Sequence, residues 1–169
     1  MVVAQTGFKD EEYIIPKEIF EKEGHKVRTT SLSRAIATGV GGLKVQPDMA
    51  IHEANPEFFD AIVIVGGPGS PILARTEEVL ALVKNANEAG KIMAAICLGP
   101  MVLANAGVLA GKNATVYPDS KALITLRNGC AKYLEQPVVI DENIVTADSP
   151  PSAGEFGEAV VQLLKKEAR

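Results

Sequence analysis

Two short apolar runs, residues 61–65 (Ala-Ile-Val-Ile-Val) and 92–96 (Ile-Met-Ala-Ala-Ile), limit the folds open to this chain more than any other feature. Neither alternates with polar residues. Each stops at a turn signal, Gly-Gly-Pro-Gly after the first and Cys-Leu-Gly-Pro after the second. Strands apolar at every position are buried on both faces, as inner strands of a parallel sheet covered by helices are. Between the two runs, residues 77–89 place Val79, Leu80, Val83 and Ala86 on one helical face and end at Gly90. Strand, helix, strand in that order predicts the βαβ rhythm of a parallel sheet covered by helices on both faces, with residues 61–65 in the middle of the sheet.

The remaining segments extend the same rhythm. Strands are expected over 2–4 and 26–32, separated by a helix over 10–23 with Asp10 as candidate N-cap and Gly24 at its stop. Residues 35–45 read as a β-hairpin turned by Gly39, Gly41 and Gly42. A short helix over 100–106 and a strand over 114–117 follow. A helix over 119–127 comes next, capped by Asp119 or Ser120, and then short strands over 132–134, 138–140 and 144–146 near a sheet edge. The last helix, 152–167, has an apolar stripe of Ala153, Phe156, Val160, Leu163 and Leu164.

A chain of 169 residues, 47% hydrophobic, has the size of one compact domain spanning 1–169. Its net charge of -4, with both signs interspersed, leaves no basic footprint, so neither nucleic acid nor an anionic membrane surface is an expected partner. The first ten residues lack the basic and apolar regions of a signal peptide, and no segment approaches the roughly 18 apolar residues of a membrane span. A cytoplasmic location is the expectation. Two cysteines and two histidines without CxxC or HxxxH spacing predict free thiols and no metal or organic cofactor.

Cys97 stands where the second apolar run ends and Leu98-Gly99-Pro100 opens a helix. A sharp strand-to-helix turn of this kind lifts a nucleophile above the sheet edge. The N–H groups and dipole of a helix start favour thiolate, lowering a pKa of about 8.5 in free cysteine. The loop 66–71 ends at the same side of the sheet, where ligands of open α/β sheets bind. It lacks GxGxxG and GK[ST], so turn and oxyanion support suit it better than a nucleotide cradle. Cys130 lacks the elbow and reads as structural.

Gly-Phe-x-Asp-x-Glu-x-x-x-Pro from Gly7, Phe-Asp-Ala-Ile-Val-Ile-x-Gly-Gly from Phe59, Ala-Ala-Ile-Cys-x-Gly-Pro from Ala94 and Ala-Gly-Val-Leu-x-Gly-Lys from Ala106 together resemble the ThiJ/PfpI superfamily. The resemblance runs from residue 2 to about residue 165. It implies a flavodoxin-like α/β/α sandwich with a mostly parallel central sheet, of the class I glutamine amidotransferase-like kind, assembled as a homodimer or a hexamer of dimers. It also implies that Cys97 is the nucleophile and Glu12, four residues before Pro16, its acidic partner. The backbone N–H groups of Gly67 and Leu98 become the oxyanion donors, which suits a glycine that lets a ligand approach and an elbow that exposes the next N–H. Gly66, Tyr117, Asp148 and Pro150 are candidate pocket residues. Tyr117 stands where some members have histidine, and Asp148 where many have arginine.

Peptidases of the family carry histidine directly after the cysteine, where this chain has Leu98. His25, at a helix-to-strand junction, and His52, before Asn55-Pro56, are expected to lie away from Cys97. Peptide hydrolysis needs a general acid for the amine leaving group. Attack on a reactive aldehyde such as methylglyoxal needs only a thiolate and a proton shuttle, here Glu12. The family thus implies a glyoxalase- or deglycase-like enzyme acting on small aldehydes or glycated groups. A peptidase assembled in an oligomer and a redox-sensing or chaperone-like protein that oxidises Cys97 stand as alternatives.

Overall fold

A computed structural model describes residues 1–169. In chain order its elements are β1 (Thr6–Phe8), α1 (Asp10–Lys22), β2 (Thr30–Ser31), β3 (Ala37–Gly39), β4 (Lys44–Val45), β5 (Met49–Ala50), β6 (Ala61–Ile64), α2 (Ser70–Leu73) and α3 (Glu77–Glu88). The second half adds β7 (Ile92–Ile96), α4 (Pro100–Asn105), β8 (Asn113–Ala114), α5 (Ser120–Asn128), β9 (Lys132–Tyr133), β10 (Val138–Asp141), β11 (Ile144–Ala147) and α6 (Ala153–Glu167).

The central sheet runs β10-β11-β7-β6, and Val2 continues it by bridging in parallel to both Ile64 and Thr30, beyond which β2 pairs with β5. All pairings are parallel except β10 with β11. β6 therefore occupies the middle, as its unbroken apolar run requires. Side chains alternate between two helical layers. Ile62, Ile64, Met93 and Ala95 pack with Val79, Val83, Leu103 and Leu126 of α3, α4 and α5. Val63, Ile92, Ala94 and Ile96 pack with Phe20 of α1 and Phe156 and Val160 of α6. The mostly parallel α/β/α sandwich is established by this arrangement. No helix is long and apolar enough to cross a membrane.

Several element boundaries differ from the sequence reading. The expected strand over 2–4 is reduced to the hydrogen bonds of Val2 and Val3, whose N–H groups donate to Val63 and Thr30 carbonyls. β1 forms later, against the hairpin strand β3. The strand over 26–32 shrinks to Thr30–Ser31 because its partner β5 offers only two residues before a 3-10 turn begins at Ile51. The strand over 114–117 pairs only through Asn113–Ala114; beyond that, the N–H groups of Thr115 and Tyr117 donate to Thr146 Oγ1 and the Cys97 carbonyl. As expected, β10 and β11 lie near an edge: β10 is the outermost strand, and β11, with all four residues buried, pairs between it and β7. Asp10 is not a cap, since Lys9 holds that position. Its carboxylate instead accepts the N–H groups of Gly41 and Leu43, each at 3.2 Å, and clasps the β3–β4 hairpin to the start of α1. The Asp119 cap is present, accepting from the N–H groups of Lys121 and Ala122.

Candidate active site

β7 ends at Ile96, and the chain reverses into α4 through Cys97, whose φ is 61°. A non-glycine residue in that region costs about 1–3 kcal/mol and persists only where surroundings over-determine it. Here they do. The Cys97 N–H donates to the Ala147 carbonyl at 2.8 Å, its carbonyl accepts from Tyr117 N–H at 2.8 Å, and Gly99 N–H closes the turn onto the Ile96 carbonyl. Parallel pairing of Ala147 with Ile96 sets the first of these contacts, so β11 holds the elbow from one side. Cys97 is 7% exposed.

Glu12 reaches the same point from the first turn of α1 and is fully buried. Neither of its carboxylate oxygens completes a hydrogen bond within the chain at good geometry, although the Cys97 thiol and the Gly66 N–H stand close enough to act on the carboxyl. A buried, unpartnered carboxylate is costly. Burial accordingly pushes the Glu12 carboxyl up to about 8, against the opposing pull of the Cys97 thiol, the Gly66 N–H and the Lys9 charge. At neutral pH Glu12 holds its proton and is a donor aimed at sulfur.

The Cys97 thiol is also raised, first by burial and then by the Glu12 charge, against the lowering effect of the Leu98 and Gly67 N–H groups. The expectation of an acidified thiol thus fails in direction. A six-residue helix supplies too little to offset desolvation and a neighbouring carboxylate. The two groups form one proton-sharing unit. When Glu12 is protonated its repulsion vanishes, and its O–H becomes the partner a thiolate needs.

The glycine pair after β6 is dictated by crowding. A Cβ on Gly66 would lie 2.5 Å from Glu12 Oε2 and 2.8 Å from Cys97 Cβ. Gly67 has φ 121°, and a Cβ there would lie 2.5 Å from the Gly7 carbonyl and 2.6 Å from Lys9 N. Only glycine brings both backbones against the thiol and the carboxyl.

Cys97, Glu12, Gly66, Gly67 and Leu98 are therefore brought together. Tyr117 adjoins the elbow through its backbone, with a half-exposed ring. Asp148 and Pro150 follow β11 on the flank that holds Cys97, but the Asp148 carboxylate is engaged by the hydroxyls of Ser149 and Ser152 at 2.7 and 2.8 Å. Pro150 opens a 3-10 turn. His25 borders a cavity beside Phe20 and Val160, and His52 is exposed in the turn after β5. Cys130 is exposed in a left-handed turn after α5, not a packed core residue. No group of three or more His, Cys, Asp or Glu side chains is arranged to hold a metal ion. Sequence reasoning missed Lys9, which stands beside Glu12, and the Ala147 carbonyl. The position of Lys9, three residues before Glu12, signals the former; nothing local signals a contact across fifty residues.

The chain is 41% identical over 167 residues to an uncharacterized protein of Methanocaldococcus jannaschii, covering 98% of this chain and 82% of that one. It is 34% identical over 169 residues to a deglycase of Thermococcus kodakarensis, covering 98% of each. The crystal structure of a ThiJ/PfpI domain protein from Brachyspira murdochii superposes with a TM-score of 0.93 at 35% identity, covering 98% of this chain and 94% of that one. The family model described as DJ-1/PfpI matches residues 1–163, and the chain belongs to the DJ-1/PfpI family.

Proposed function

We propose that the protein is a cysteine-dependent enzyme acting on small reactive aldehydes or the groups they modify. The observation that carries this reading is the pairing of Cys97 with the buried, otherwise unpartnered carboxyl of Glu12. The deglycase name of the Thermococcus relative favours the same chemistry. On an α-oxoaldehyde, Cys97 sulfur bonds to the aldehyde carbon, and the oxyanion that forms is met by the N–H groups of Gly67 and Leu98. The thiol proton leaves to water as the bond forms, and Glu12 gives its own proton to the oxyanion. The carboxylate so freed takes the hydrogen of that carbon as a proton and returns it to the neighbouring carbon while the hydroxyl proton passes to the former ketone oxygen, turning ketone into alcohol and hemithioacetal into thioester. Water releases a 2-hydroxy acid. The net change adds one water and needs no external oxidant or reductant.

The alternatives are less well supported. Peptide hydrolysis asks for a proton donor to an amine, and Leu98 supplies none. Rapid oxidation by peroxide asks for an exposed sulfur, whereas Cys97 is buried beneath the Glu12 carboxyl. The test is lactate formation from methylglyoxal by wild type and Cys97→Ser, with peptide cleavage followed in parallel. Turnover lost in the variant is expected. Peptide cleavage without lactate would overturn the reading.

A further inference from the structure

A sizeable cavity lies away from Cys97. It measures about 640 Å³, within the range that takes drug-sized molecules, and lies between the end of α1, the segment leading into β2, and α6. Ala61, where β6 begins, lines it, whereas Cys97 follows the far end of the parallel neighbour β7. The two sites therefore face opposite ends of the sheet and do not share a substrate.

Four observations describe what the cavity suits. Its floor is apolar, built by Phe20, Val63, Val160 and Leu164. His25 lines it with Nε2 buried and without a hydrogen-bond partner in the chain. A buried ring nitrogen without a partner in the chain is uncommon and is free to take a hydrogen bond from outside it. The rim charges are unequal. Glu53 is taken up by Arg34 at 2.7 Å, so Asp60 is the one rim acid without an ion pair, while Lys26 and Arg28 are both unpaired cations. Phe58 stands at the mouth 81% exposed, a large apolar ring with nothing covering it.

We propose that this cavity binds a monoanionic amphiphile, an apolar body lying on Phe20, Val63, Val160 and Leu164 with its acidic group toward Lys26, Arg28 and His25. This second site is independent of the chemistry at Cys97, and Phe58 closes over the bound apolar body.

The test uses the full chain and three probes: anilinonaphthalene sulfonate, its uncharged analogue phenylnaphthylamine, and decanoate as competitor. Wild type is expected to give saturable fluorescence enhancement with the sulfonate, reversed by decanoate, and Cys97→Ser to bind equally well. Leu164→Trp fills the cavity and is expected to weaken both fluorescent probes by about tenfold or more. Should that variant not fold, Phe58→Asp at its exposed position is expected to do the same. Lys26→Glu combined with Arg28→Glu is expected to weaken the sulfonate by about tenfold while sparing the uncharged probe. Absence of saturable binding by wild type, or unchanged binding by the folded cavity variant, would overturn the site. Equal loss of both probes in the charge variant would overturn its preference for anions.

Discussion

Replacing Glu12 by Gln keeps the shape of the protonated carboxyl and removes its titration, so the variant isolates what the buried acid does to stability. In the unfolded chain this group ionises near its ordinary value of 4.5, and in the folded protein near 8. Because the folded pKa is the higher one, the native state holds the proton more tightly than the unfolded state does. The stabilisation is complete below pH 4.5 and is lost as pH rises through 8. At about 1.4 kcal/mol per pH unit, wild type loses roughly 4–5 kcal/mol across that window, a large part of the 5–15 kcal/mol that holds a domain together. Cys97 does not alter the sign, since the pair as a whole keeps its proton to higher pH than the unfolded chain does. Urea unfolding of both proteins at pH 5, 6.5 and 8.5 measures the effect. The stability of Glu12→Gln relative to wild type should rise steadily with pH, by about 4 kcal/mol over the series. A difference that stays flat within about 1 kcal/mol, or that moves the other way, would refute the assignment of a protonated, buried Glu12.

Other consequences follow from the same contacts. Gly66→Ala must push Glu12 and Cys97 apart from a new Cβ, and such overpacking costs about 1–3 kcal/mol, lowering Tm by several degrees. Gly154→Ala, in α6 with nothing within 4 Å of the added Cβ, should leave Tm unchanged or raise it; equal Tm changes in the two variants would contradict the crowding at Gly66. Asp10→Ala removes the acceptor for the Gly41 and Leu43 N–H groups, costing about 1–2 kcal/mol, and amide exchange at those two positions should accelerate. Unchanged exchange there would show that the clasp is not what holds the hairpin. At Cys97, Ser should abolish lactate formation while retaining the fold, which circular dichroism checks.

The inner strands were legible because burial on both faces leaves an unbroken apolar run, as in β6 and β7. β11 is equally buried, yet Ile144-Val145-Thr146-Ala147 contains a threonine and follows an obvious hairpin turn at Asn143, which resembles edge patterning. Its place beside β7 is a matter of topology, not local composition. The two-residue strands carry too little periodicity to be delimited. Cys97, Gly66, Gly67 and Leu98 could be located because an elbow and a glycine pair are local devices, and Glu12 because its spacing from Pro16 matches a family pattern. The direction of the thiol pKa could not, because it depends on how deeply sulfur is buried and how near a carboxylate from another element comes. The clasp of Asp10 on the hairpin was hidden for the same reason: a carboxylate in a first helical turn reads as a cap until its partners, more than thirty residues away, are placed.

The central claim is that Cys97 and Glu12 act as one unit in which Glu12 carries the proton. Conversion of methylglyoxal in heavy water, followed by proton nuclear magnetic resonance of the lactate methyl group, tests it most directly. Wild type should yield lactate deuterated at its central carbon, because a proton passed through Glu12 exchanges with solvent, and Glu12→Gln should yield none. Lactate that retains the aldehyde hydrogen, or turnover undiminished in Glu12→Gln, would contradict the account.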